Sequence, residues 1–129
     1  AKQIKALVDK AVVLIESKGK GAFPELRKKD SEWYKGDAYI FVDDMNGTVL
    51  LLPTEPELEG KNLIDMKDAN GKLWMRAFIE TAKTRGSGWV DYMWPKPGTD
   101  KPSKKISYIK RAKMPDGKMV FVGGSIYVE

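Results

Sequence analysis

The last third of the chain leaves the fold little freedom. Three strand-forming runs, Gly88 to Pro95, Lys104 to Lys113 and Lys118 to Val128, follow one another with only a Pro-rich loop at 95–103 and the tight turn Pro115-Asp116-Gly117 between them. Strands joined by connections this short pair as antiparallel neighbours, so a three-strand meander is expected. A second pairing is signalled upstream, where Tyr39-Ile40-Phe41-Val42 and the run Thr48 to Leu52 flank Asp44-Met45-Asn46-Gly47. Asn-Gly between β-rich runs is a strong hairpin signal, because both residues tolerate positive φ. The sum is five strands in one antiparallel sheet.

Helical periodicity appears in two other places. Ile4, Leu7, Val8, Ala11, Val12, Leu14 and Ile15 form an apolar stripe with a 3.6-residue period that stops at Gly19 and Gly21. That helix can pack on its own domain, pair with a second copy as a homodimer, or continue upstream into a membrane anchor. Leu73, Trp74, Ala77, Phe78 and Ala82 repeat at the same spacing before Gly86. Phe23-Pro24-Glu25-Leu26 reads as a short helix with proline early, where its missing N–H is harmless. Residues 53–72 read as a long connection with a turn of helix around Leu63 to Met66. At 129 residues the chain makes one α+β domain over 1–129, with 1–20 as the N-terminal helix.

The chain has no cysteine and no histidine. Thiolate and imidazole zinc sites, His-ligated haem, Ser-His-Asp triads and Cys-His dyads therefore cannot be assembled from it. No run approaches the ~18 apolar residues of a membrane span. The net charge of +5 is concentrated in residues 96–118, which hold Lys96, Lys101, Lys104, Lys105, Lys110, Arg111, Lys113 and Lys118 against Asp100 and Asp116. Such a cluster attracts an anion, and it also reads as solvated lysines on exposed strands.

Four kinds of chemistry are conceivable for these residues. The loops Asp43 to Gly47 and Asp65 to Gly71 are oxygen-rich, but a calcium loop would need a glutamate where Pro53 and Ala77 stand. Turn formation accounts for both, and no metal site is expected. Among carboxylates Asp91 attracts attention, yet it shares a strand face with Trp89 and Met93, opposite Val90, Tyr92 and Trp94, and points to solvent or a partner strand. No activated nucleophile accompanies it, so no catalytic residue and no enzyme are expected. Gly86-Ser87-Gly88 and Gly123-Gly124-Ser125 are poor phosphate cradles; the second lies inside a strand, where glycine marks a bulge or a close approach. What remains is a small-anion pocket from Tyr92 and Trp94 on one strand and Lys105 and Tyr108 on the next. Tyrosine and tryptophan on a sheet face also read as plain core.

The segments Gly88-Trp89-Val90-Asp91-Tyr92-Met93-Trp94-Pro95-Lys96-Pro97-Gly98, Lys105-Ile106-Ser107-Tyr108-Ile109-Lys110 and Val122-Gly123-Gly124-Ser125-Ile126-Tyr127-Val128 carry a family likeness. With Tyr39-Ile40-Phe41-Val42-Asp43, Asn46-Gly47, Leu52-Pro53, Gly60-Lys61-Asn62-Leu63 and Asp68-Ala69-Asn70-Gly71, they resemble the single Cache domains of bacterial chemotaxis receptors and sensor kinases. The resemblance covers nearly the whole chain. It implies a long N-terminal helix leading into a PAS-like five-stranded antiparallel sheet with helices on one side, a periplasmic or other extracytoplasmic location, and a short-chain carboxylate as ligand for chemotaxis or signal transduction.

Carried onto this chain, the pocket lies between the sheet and residues 53–78. Tyr92, Trp94, Lys105 and Tyr108 are its first candidates, with Tyr39, Phe41 and Trp74 as walls. Lys105 and Tyr108 point to opposite faces of a regular strand, so either a bulge intervenes or one of them lies elsewhere. No cofactor is expected. The domain would serve either as a free periplasmic sensor or within a parent receptor or kinase. The alternative is a PAS- or profilin-like module whose basic C-terminal strands contact a protein or nucleic acid. The alternation of lysine with Ile106, Tyr108 and Ile109 argues against nucleic acid, which is bound along runs of basic residues around stacking aromatics.

Overall fold

The computed structural model describes residues 2–128. Helix α1 (Lys2–Lys18) buries Ile4, Val8, Ala11, Val12 and Ile15, the stripe that its periodicity marks. Gly19, at φ 57°, ends it. A 3-10 turn over Gly19–Ala22 then leads into α2 (Phe23–Leu26), whose Pro24 sits in the first turn.

The sheet has six strands: β1 (Tyr34–Lys35), β2 (Ala38–Asp44), β3 (Val49–Leu51), β4 (Ser87–Pro95), β5 (Pro102–Lys113) and β6 (Met119–Tyr127). Their order is β1-β2-β6-β5-β4, with β3 also paired to β2 and every pairing antiparallel. The five expected strands are all present. The sixth, β1, is a two-residue edge strand in a polar stretch too short to show a period.

The β2–β3 turn is built as its sequence demands: Asp44 Oδ1 accepts from the amides of Asn46 at 2.9 Å and Thr48 at 3.0 Å, and Gly47 takes φ 93°. One extra residue in β3, Leu50, shifts the register between Val42 and Asp43. Helix α3 (Trp74–Thr84) follows the long 52–73 connection and stops before Gly86, at φ 80°. Within that connection the helical turn lies at Pro56–Leu58 and not at Leu63 to Met66, where Met66 N–H closes only a simple turn on Leu63 O.

Strand alternation divides the core into two layers. Ile40 and Val42 of β2, Tyr108 and Ala112 of β5, and Val120 and Val122 of β6 pack with α1 and α2. Tyr39 and Phe41 of β2, Val90, Tyr92 and Trp94 of β4, Ile109 of β5 and Phe121 of β6 pack with α3. The short helix α2 thus stays with α1, and only α3 and the 52–73 connection cover the other face.

The Gly123-Gly124 pair in β6 serves close approach, not a bulge, because its register with β2 and β5 runs unbroken. A Cβ on Gly123 would stand 2.1 Å from the Phe41 ring, and one on Gly124 would stand 2.9 Å from Val8 Cγ2 of α1. The two glycines let both layers rest on bare backbone.

Candidate functional site

Between the sheet and α3 lies a cavity lined by Tyr39, Phe41 and Asp43 of β2, Trp74 and Phe78 of α3, Tyr92 and Trp94 of β4, and Lys105 of β5, closed by Val49, Leu52 and Leu63. The space open to the centre of a water-sized sphere is about 20 Å³, enough for about one water molecule.

Lys105 is the unusual member. It is only 2% exposed. Its Nζ donates to the Tyr39 phenol at 2.5 Å. Five rings surround it, their centroids 4.5 Å (Tyr39), 5.4 Å (Tyr127), 5.5 Å (Tyr92), 5.7 Å (Phe41) and 5.9 Å (Trp94) away. Ring faces attract a cation, but they do not replace its hydration. No carboxylate among the described residues forms a salt bridge with it. Burial accordingly lowers its pKa to about 7, against the opposing pull of Glu55 and Asp43.

The surroundings are held firmly. Trp74 stacks on Tyr92 at 5.5 Å and meets Phe78 and Trp94 edge-on at 5.3 and 5.1 Å. Its indole N–H is buried with no hydrogen-bond partner among the described residues, a cost of about 1–3 kcal/mol. The Tyr92 hydroxyl continues into Ser107 and Ser125 through bonds of 2.9 and 2.7 Å, and Tyr127 donates to Pro95 O at 2.8 Å, fixing the Pro-rich loop. Burial raises the pKa of both Tyr39 and Tyr92, so both stay neutral donors.

Six of the seven residues singled out in the sequence therefore line or wall one cavity: Tyr39, Phe41, Trp74, Tyr92, Trp94 and Lys105. Tyr108 does not. The register of β5 against β4 and β6 is regular, with no bulge, so three residues beyond Lys105 the side chain lies on the α1 face. There it packs 5.2 Å from the Trp89 ring, with Lys5 Nζ 5.7 Å above it.

Sequence reasoning missed Asp43, treating it as part of a turn. Asp44 makes the turn; Asp43, 3% exposed, faces the cavity. The signal was present, because Asp43 continues the alternation Tyr39, Phe41. Asp68 and Asp91 behave as turn and surface residues: Asp68 accepts from the amides of Asn70, Lys72 and Met93, and Asp91 meets Lys72. The basic cluster is dispersed, with Lys105 buried, Lys110 on Asp9 at 2.9 Å and Lys118 near Asp44 at 3.7 Å.

The family model for the Cache domain matches residues 3–129. The chain belongs to the Cache domain family. It is 31% identical over 96 residues, 74% of its length, to the methyl-accepting chemotaxis protein McpP of Pseudomonas putida, and the matched stretch is 17% of that receptor. A solved periplasmic sensor domain of a chemotaxis protein superposes on this Cache domain with a TM-score of 0.85 at 35% identity, covering 99% of this chain and 94% of the other. A structure solved for carboxylic acid recognition by a Cache chemosensory domain superposes with a TM-score of 0.76 at 28% identity, covering 95% and 84%.

Proposed function

We propose that this Cache domain is the extracytoplasmic ligand-binding part of a bacterial receptor or sensor kinase, and that its ligand is a short-chain carboxylate seated on Lys105. One observation carries the reading: a buried ammonium held by a neutral phenol and aromatic faces, with no carboxylate among the described residues paired to it. An anion entering the cavity supplies the missing charge, and charge-assisted hydrogen bonds are strong where water is excluded. Trp74, with its unpartnered indole N–H among the described residues, and Tyr39, with its phenol, line the same cavity. The similar structure solved for carboxylic acid recognition adds independent support.

A volume of about 20 Å³ is too small for even a two-carbon acid without movement of a wall. The 52–73 connection is the wall that lacks extended regular structure. Binding therefore opens or re-seats that segment, and a ligand that fits two placements unequally shifts the population between them.

The test is thermal unfolding with acetate, propionate, pyruvate and lactate at millimolar concentration. At least one acid should raise the melting temperature of the wild-type domain and leave Lys105→Met unchanged. Absence of any stabilisation, or equal stabilisation of both proteins, overturns the reading.

A further inference from the structure

Asp43 is buried in the cavity wall, yet its carboxyl group makes no hydrogen bond or salt bridge among the described residues. A carboxyl group that opens onto a cavity without such a partner calls for an explanation. Its neighbour Asp44 spends both carboxylate oxygens on the hairpin amides and Lys118, so turn formation does not need Asp43. Along the cavity side of β2, Phe41 falls between Tyr39, which holds Lys105, and Asp43, and its ring lies 5.7 Å from the ammonium. Lys105 and Asp43 are thus the two polar ends of a wall that is otherwise aromatic and aliphatic.

We propose that Asp43 determines specificity: its carboxyl group hydrogen-bonds the oxygen on C2 of a 2-hydroxy or 2-oxo acid whose carboxylate rests on Lys105. This rests on the carboxylate reading above and sharpens it. The groups that line the cavity with Asp43 include Lys105 from β5, the apolar Val49, Leu63 and Phe78 from β3, the connection and α3, and Trp74 with its indole N–H. Desolvation, with Asp44 adding to it and Lys105 opposing, raises the Asp43 pKa well above the ordinary carboxyl value, which favours the acid form that donates over the anion that repels the ligand. A neutral donor favours an oxygen acceptor on C2; an ionised one would favour the ammonium of an amino acid.

Four acids of three carbons separate these cases: propionate, lactate, pyruvate and alanine, titrated calorimetrically into the wild-type domain, Asp43→Asn and Asp43→Leu. Lactate or pyruvate should bind about fivefold to tenfold more tightly than propionate, the effect of roughly one net hydrogen bond. Asp43→Asn, which keeps an N–H donor, should retain the preference; Asp43→Leu should bind all three carboxylates with nearly equal affinity. Equal binding by the wild type, a preference that survives in Asp43→Leu, or tightest binding of alanine overturns the proposal. Failure of every acid to bind would instead overturn the carboxylate reading beneath it.

Discussion

Lys105 Nζ lies 2.5 Å from the Tyr39 hydroxyl, so the buried ammonium donates a hydrogen bond but forms no salt bridge among the described residues. Replacing a buried, unneutralised cation by an apolar chain of similar length removes a desolvation penalty. Lys105→Met should therefore raise the melting temperature of the ligand-free domain by about 3–5 °C at pH 6. A lower melting temperature, measured calorimetrically, would mean that the ammonium stabilises the empty fold.

The same group makes both stability and affinity depend on pH. The Lys105 pKa falls from 10.5 to about 7 on folding. Its contribution is fully present above 10.5 and is lost as pH falls towards 7, because the unfolded chain binds the extra proton in that window. Anion binding runs the other way, since it needs the ammonium. With Tyr39 and Asp43 of β2, Tyr92 of β4, Tyr127 of β6 and Glu55 of the connection facing Lys105, the dissociation constant should be flat below pH 7 and rise about tenfold per unit above it. Calorimetry at pH 8 in buffers of different ionisation enthalpy should detect nearly one proton taken up per anion.

Tyr108→Phe tests the division of the sheet. Because Tyr108 packs beneath α1, its hydroxyl should be irrelevant to ligand affinity, whereas Tyr39→Phe should weaken binding about fivefold or more by removing the acceptor that holds Lys105. Equal effects in a titration would contradict the assignment of faces.

The element order, the meander and the hairpin were legible in the sequence, because period-two alternation, Asn46-Gly47 and Asp116-Gly117 are local signals. Strand parity also exposed the conflict between Lys105 and Tyr108, and the regular register of β5 resolved it in favour of Lys105. Asp43 carried a signal in its alternation with Tyr39 and Phe41, but adjacent carboxylates before Asn-Gly look alike, and the fold shows that the turn consumes Asp44. Phe78 was read as a helix-face residue; that it closes the cavity depends on how α3 lies across the sheet, which no local pattern encodes.

Gly123→Ala should destabilise the domain by about 1–3 kcal/mol in urea unfolding, because the new methyl would meet the Phe41 ring at 2.1 Å. Adding Phe41→Leu should recover part of the loss. Additive penalties in the double variant would refute the contact.

Arg27, which follows α2, holds Glu59 through two bonds of 2.5 and 2.7 Å, and Glu59 also accepts from the Leu52 amide at 2.8 Å. Glu59→Gln should therefore speed hydrogen exchange at Leu52 several-fold while the central strands stay protected. Unchanged exchange at Leu52 would show that the connection is anchored by other contacts.

At Gly123 and Gly124 the partition between the two layers is a single peptide thick, with Phe41 of the cavity wall against one side and Val8 of α1 against the other. Elsewhere in the sheet a displaced group can be absorbed by a neighbouring side chain changing rotamer. Here no side chain exists to yield, and close-packed interiors compress little. Strand β6 at this point presents bare backbone to both layers, so the Phe41 ring and the long helix are separated by one peptide with no side chain between them.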